Sequence, residues 1–130
     1  MIQVTKKVEY GLRAMIILAK IYKSKQLISV REISNKESIS FDFLEKIISQ
    51  LEKSKLVKGS KGSAGGYILA KNPNKINVKS IINSLEGAKA ITNCPFCPRN
   101  KKCIAKNAWQ KIDKSLSKTL QDITLSQLTK

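Results

Sequence analysis

The sequence predicts a mainly α-helical protein with a small β-hairpin wing: a winged helix-turn-helix followed by a long C-terminal dimerisation helix. Three observations carry that expectation. Two short capped helical stretches are joined by a tight polar turn, a glycine-rich hairpin follows them, and the chain closes on a long amphipathic stretch.

Thr5 is placed to cap a helix from Lys6 to about Tyr22, where Val8, Leu12, Met15, Ile16, Ala19 and Tyr22 recur at the spacing of a buried stripe. Ser24-Lys25-Gln26 reads as a polar connector. Ser29 caps a short helix from Val30 to about Lys36, with Val30 and Ile33 facing inward. Ser38-Ile39 turns the chain, and Ser40 caps a second helix from Phe41 to about Lys53. Leu44, Ile47, Ile48 and Leu51 form its narrow apolar seam.

Leu56-Val57-Lys58 and Tyr67-Ile68-Leu69 read as short strands flanking a tip rich in glycine, with Lys61 at its centre. Glycines let such a tip take positive φ and lie close to a phosphate backbone. Asn77 caps a helix from Val78 to Leu85, whose apolar face is Val78, Ile81, Ile82 and Leu85, and Gly87 stops it. From about Ile104 the chain is helical again, with Ala105, Ala108, Trp109, Ile112, Leu116 and Leu120 on one stripe, until Ile123-Thr124-Leu125 breaks it. That stripe is longer than the preceding unit needs for its own core, which points to packing on a second copy about a two-fold axis. The expected organisation is a DNA-binding region over 1–87, a cysteine loop over 88–103 and a dimerisation helix and tail over 104–130, within one structural domain.

At 130 residues, 42% hydrophobic and 26% charged, the chain is long enough for one real core. No apolar run approaches a bilayer span, and Lys6, Lys7 and Glu9 near the start are unlike a secretory signal. A cytoplasmic, non-membrane protein is expected. A formal charge of +16 with no histidine favours a polyanionic partner, with DNA or RNA the default candidate, and the helix-turn-helix pattern makes double-stranded DNA the expected one. A simply lysine-rich, solvated surface is the plainer explanation. The expectation is a binding protein rather than an enzyme.

All three cysteines fall in Asn93-Cys94-Pro95-Phe96-Cys97-Pro98-Arg99-Asn100-Lys101-Lys102-Cys103, spaced C-x2-C-x5-C. Three thiols cannot all pair within one chain, and in a cytoplasmic protein such crowding points to metal or redox chemistry. Thiolates are natural ligands of zinc and of iron–sulfur clusters, and neighbouring lysines favour the thiolate. A fourth ligand must come from a carboxylate, a backbone group, an exogenous ligand or another chain, since no histidine exists. A Cys94–Cys97 thiol-redox pair and free thiols are the alternatives.

In the DNA-reading hypothesis, Ser40, Phe41, Asp42, Phe43 and Glu45 open the recognition helix, the end that reaches base edges. Carboxylates there can accept from cytosine amino groups, and Phe can meet a thymine methyl. Asp42 and Glu45 would also sit well against the helix dipole without touching DNA. Lys61 would lie at the wing tip, in the minor groove or on phosphate, and Arg31, Lys46 and Lys58 are candidate phosphate contacts.

These features together resemble the Rrf-two family of bacterial winged-helix transcription regulators, which has IscR-like and NsrR-like branches. The resemblance rests on Glu9-Tyr10-Gly11-Leu12-Arg13-Ala14-Met15, Ile39-Ser40-Phe41-Asp42-Phe43-Leu44-Glu45 and Gly62-Ser63-Ala64-Gly65-Gly66-Tyr67-Ile68-Leu69, together with the three cysteines followed by Trp109. It runs over nearly the whole chain. It implies a homodimer regulating promoters through a [2Fe–2S] or [4Fe–4S] cluster, with zinc or no cofactor as the alternative. By position it makes Cys94, Cys97 and Cys103 the sulfur ligands, Asp42, Phe43 and Glu45 base readers, and Lys61 the wing's basic residue. The first cysteine interval is shorter than in well-known members. Lys106 stands where the IscR branch has a histidine. In the NsrR branch a carboxylate from the partner's first helix completes the site, and Glu9 occupies that position. Its plainer role is an i, i+4 pair with Arg13.

Overall fold

The computed structural model describes residues 4–62, 65–87 and 102–129. Helix α1 (Lys6–Ile21) begins where the Thr5 hydroxyl accepts from the Val8 amide at 3.3 Å, and it runs on into a single 3-10 turn at Tyr22–Ser24. Its buried residues are Val8, Gly11, Ala14, Met15, Leu18 and Ala19. The expected stripe is therefore half right. Leu12, Ile16 and Tyr22 are only half-buried, while Ala14 and Leu18 are fully enclosed. The cause is that α1 lies centrally, packed by other elements over a wide arc rather than along one stripe.

Helices α2 (Val30–Glu37) and α3 (Phe41–Lys53) form the helix-turn-helix. Ser29 caps α2 by accepting from the Glu32 amide at 3.1 Å. The turn is made by Ser38, whose φ of 55° is left-handed, and it is closed by the Ile39 amide donating to Ser34 carbonyl at 3.1 Å. The buried Ser34 hydroxyl donates to Ile39 carbonyl, so the turn keeps no unsatisfied side-chain group. Ser40 stands at the N-cap of α3, yet its hydroxyl makes no capping bond, contrary to expectation. The helix is entered on the Leu44 amide bonding to Ser40 carbonyl. Leu44, Ile47, Ile48 and Leu51 are all fully buried, as the seam requires. Each such side chain contributes about 1.5–3 kcal/mol of burial.

Strands β1 (Val57–Ser60) and β2 (Gly66–Leu69) pair antiparallel with Val57 opposite Leu69 and Ser60 opposite Gly66. A third strand position was not foreseen. Ile28 bridges Tyr67, its amide donating to Tyr67 carbonyl at 3.1 Å and accepting the Tyr67 amide on its carbonyl at 2.8 Å. Gly66 makes this possible, because a Cβ there would sit 2.7 Å from the Ile28 carbonyl carbon and oxygen. Helix α4 (Val78–Glu86) is capped by Asn77, which accepts from the Ser80 amide at 2.8 Å, and ends at Gly87 with φ of 82°.

Helix α5 (Lys106–Asp122) starts two residues later than expected, leaving Ile104 outside it and fully exposed. After α5 the chain folds back. Val78 donates to Ile123 carbonyl and Leu125 donates to Ile76 carbonyl, both at 2.9 Å, and Leu125 is fully buried. No helix among the described residues is long and apolar enough to cross a membrane.

Candidate nucleic-acid interface and cysteine segment

The capped turn between α2 and α3 fixes where the first turn of α3 stands, and side chains from three elements converge there. The Arg31 guanidinium of α2 lies over the Phe41 ring, 4.0 Å from its centroid. Phe43, two residues further on, meets Tyr10 of α1 edge-on, with ring centroids 5.7 Å apart at 76°. Tyr10 in turn carries Lys6 and Arg13 at 5.8 and 5.5 Å from its ring. Both aromatic residues of α3 are thus held by neighbours rather than standing free.

Arg31, Phe41, Phe43, Glu45 and Lys46 line one open groove, so five of the nine expected DNA-contacting residues come together. Asp42 is exposed on the same first turn, and Ser40 is exposed just before it. Lys58 is exposed on β1, and Lys61 is exposed where the chain leaves that strand. The remainder of the tip, 63–64, lies outside the described residues. Gly62 takes φ of 117° and accepts the Gly65 amide at 2.9 Å, the positive-φ turn that a glycine-rich tip predicts.

The sequence reading did not single out Lys7, Lys53 and Tyr67, which also line the groove. Tyr67 is held where the wing meets α3. Burial first, and then the carboxylates of Glu52 and Glu45, push its phenol above the ordinary 10.0. Glu52 also accepts the Gly59 amide at 3.0 Å, tying the end of α3 to β1. The alternation of Gly66-Tyr67-Ile68-Leu69 shows a strand, but only the fold shows that Tyr67 shares a groove with α3.

Cys94 and Cys97 lie outside the described residues. Cys103 is half-buried and not in a disulfide. No group of three potential metal-ligating side chains forms among the described residues. Lys106 is the first residue of α5. Glu9 is exposed, and its pairing differs from the expected one. It bonds Lys6 at 3.4 Å, whereas Arg13 is drawn to Glu37 of α2 at 2.9 Å. Glu37 offers Arg13 a carboxylate and a helix-end carbonyl together, which Glu9 cannot.

On α5, Trp109, Ile112 and Leu116 are 39%, 41% and 38% exposed, and the helix has no buried residue at all. Of the stripe expected from sequence, Ala108, Trp109, Ile112 and Leu116 are exposed, whereas Leu120 is half-buried and Ala105 lies outside the helix at its N-cap.

Comparison with known proteins agrees with this architecture. Residues 4–130 match the Rrf2 family model, that of an iron-dependent transcriptional regulator. The chain is 31% identical over 130 residues to protein rrf2 of Nitratidesulfovibrio vulgaris, covering 97% of this chain and 86% of that protein. Its fold is similar to that of CymR, the global cysteine regulator of B. subtilis, with a TM-score of 0.88, 29% identity, and coverage of 99% and 97%. IscR of T. potens superposes with a TM-score of 0.81 and 34% identity, over 98% of this chain and 85% of that one.

Proposed function

The chain belongs to the Rrf2 family of transcriptional regulators, and from that premise we propose that it acts as a homodimer whose grip on promoter DNA is set by an iron–sulfur cluster at the cysteine segment. The DNA-reading half of this proposal is supported above all by the groove where Arg31, Phe41, Phe43, Glu45 and Lys46 meet. In each subunit the first turn of α3 enters the major groove and the Lys61 wing follows the adjacent backbone. Asp42, Phe43 and Glu45 are the base-reading candidates, with Arg31, Lys46 and Lys58 on phosphate. The uncovered stripe of α5 sets the spacing of two such heads by packing on its counterpart.

The donor set suits an iron–sulfur cluster. Cys94, Cys97 and Cys103 offer three thiolates, and Glu9 of the partner subunit offers the fourth ligand. The supporting observation is the state of Glu9. Its carboxylate is exposed and, among the described residues, engaged only by Lys6 at 3.4 Å, an i, i+3 pair that costs little to break. When bound, such a cluster would supply one-electron redox chemistry and sensitivity to nitric oxide. Ligation of Glu9 would free Lys6, whose ammonium also lies over Tyr10, the ring that abuts Phe43. The ligand residue is thus linked to the reading helix through three successive contacts, and unequal ligation in two arrangements shifts their populations.

The test is anaerobic reconstitution followed by visible absorption, iron and sulfide analysis, and binding to duplexes selected by the protein. Glu9→Ala should shorten cluster lifetime while the fold is kept. A colourless protein with stoichiometric zinc would replace the sensor with a structural metal site. A protein that reconstitutes neither would be a cluster-free regulator of the same fold.

A further inference from the structure

Phe41 opens α3 half-buried and packed against the core cluster. The other partner of its ring is the Arg31 guanidinium, 4.0 Å from the centroid, which is a stacking distance over the aromatic face. Arg31 itself is exposed and makes no ion pair among the described residues. The pairs among the described residues are Lys6–Glu9 and Arg13–Glu37. A guanidinium carries its N–H donors in its plane, so stacking occupies the face and leaves the edge free. Both residues line the groove beside the reading turn.

Taking the DNA-binding role as given, we propose that Phe41 does not read a base but is a positioning residue for Arg31. Its ring holds the guanidinium edge-out at the mouth of the groove, where two N–H donors can take one backbone phosphate in a forked contact. The ring removes rotamer freedom from a long side chain before binding, so less is lost when the phosphate arrives. Lysine could not replace this arginine, because an ammonium has neither a stacking plane nor a fork.

The test uses the full chain, the duplex it enriches from a randomised library, and a scrambled duplex of equal composition. Arg31→Ala and Phe41→Leu should each weaken binding to both duplexes, by on the order of fivefold to tenfold. Arg31→Ala should also flatten the dependence on salt by about one phosphate contact, whereas Phe41→Leu should leave that slope unchanged. The double variant should bind no more weakly than Arg31→Ala, and Phe41→Tyr should restore affinity. Arg31→Lys keeps the charge and the core intact, so it tests the same idea if Phe41→Leu unfolds. It should keep the salt slope and bind measurably more weakly than the unsubstituted chain, though less weakly than Arg31→Ala. Wild-type affinity of Arg31→Lys, multiplied losses in the double variant, or a Phe41→Leu defect confined to duplexes with thymine at one step would each overturn the proposal while leaving DNA binding intact. Failure of the unsubstituted chain to enrich any duplex would remove the DNA-reading role, and this one with it.

Discussion

Arg13 holds Glu37 at two points. Its Nε donates to the Glu37 carboxylate at 2.9 Å, and its Nη2 donates to the Glu37 carbonyl at 2.6 Å. The first contact is an ion pair, the second satisfies an orphan carbonyl at the end of α2. Together they lock α1 to the helix that precedes the reading helix.

Arg13→Lys should therefore lower stability by about 1–2 kcal/mol, since a lysine cannot make both bonds and the pair is only partly shielded from water. Thermal unfolding would show a fall in Tm of several degrees. Glu37→Gln should cost less, because the backbone contact survives. Equal losses for the two variants would show that the carbonyl bond contributes nothing.

Gly66→Ala should break the bridge between Ile28 and Tyr67. The new Cβ would meet backbone atoms of Ile28 at 2.7 Å, and backbone cannot rotate aside as a side chain can. A cost of about 1–3 kcal/mol is expected. Hydrogen exchange at the Ile28 and Tyr67 amides should accelerate, with DNA affinity falling as the wing shifts. Unchanged protection at both amides would contradict this account.

Tyr67 should titrate above its ordinary 10.0 in an ultraviolet absorbance titration. A raised phenol means that the folded state prefers the neutral form. Its contribution to stability is complete below the unfolded value and is lost as pH rises through the folded one. Glu52→Gln should bring the titration partway back, because burial, the larger cause, remains.

Trp109 is the sole tryptophan, and its place on the exposed stripe makes it a reporter of dimerisation. Its emission should shift to shorter wavelength as the protein is concentrated. Ile112→Asp should yield a monomer by sedimentation, because a charge buried at the centre of an apolar seam costs several kcal/mol, roughly. A dimer that survives this change would place the interface elsewhere.

The legible parts of this molecule are those decided by local chemistry. The seam of α3 shows in sequence because that helix buries one narrow face, and the caps at Thr5, Ser29 and Asn77 show because each hydroxyl or amide bonds an amide three residues on. Ala14 and Leu18 escaped notice because α1 is enclosed on more than one side, which no single stripe describes. Ile28 contributes one bridge from the short stretch between the polar connector and α2, too short for any alternation to reveal. Glu9 and Arg13 look like a local pair, yet a stronger acceptor 24 positions from Arg13 takes the guanidinium. For the candidate site, residue types and spacing single out five residues that the fold brings into one groove, Arg31, Phe41, Phe43, Glu45 and Lys46. The stacking of Arg31 on Phe41 and the closeness of Tyr67 to the reading helix are three-dimensional facts.

The stitch between Asn77 and Thr124 anchors one end of α5 beside the start of α4, while its other end continues from the cysteine-bearing stretch. Leu120 therefore stands next to the fixed end, and Trp109 next to the end through which any change at Cys103 must enter the helix.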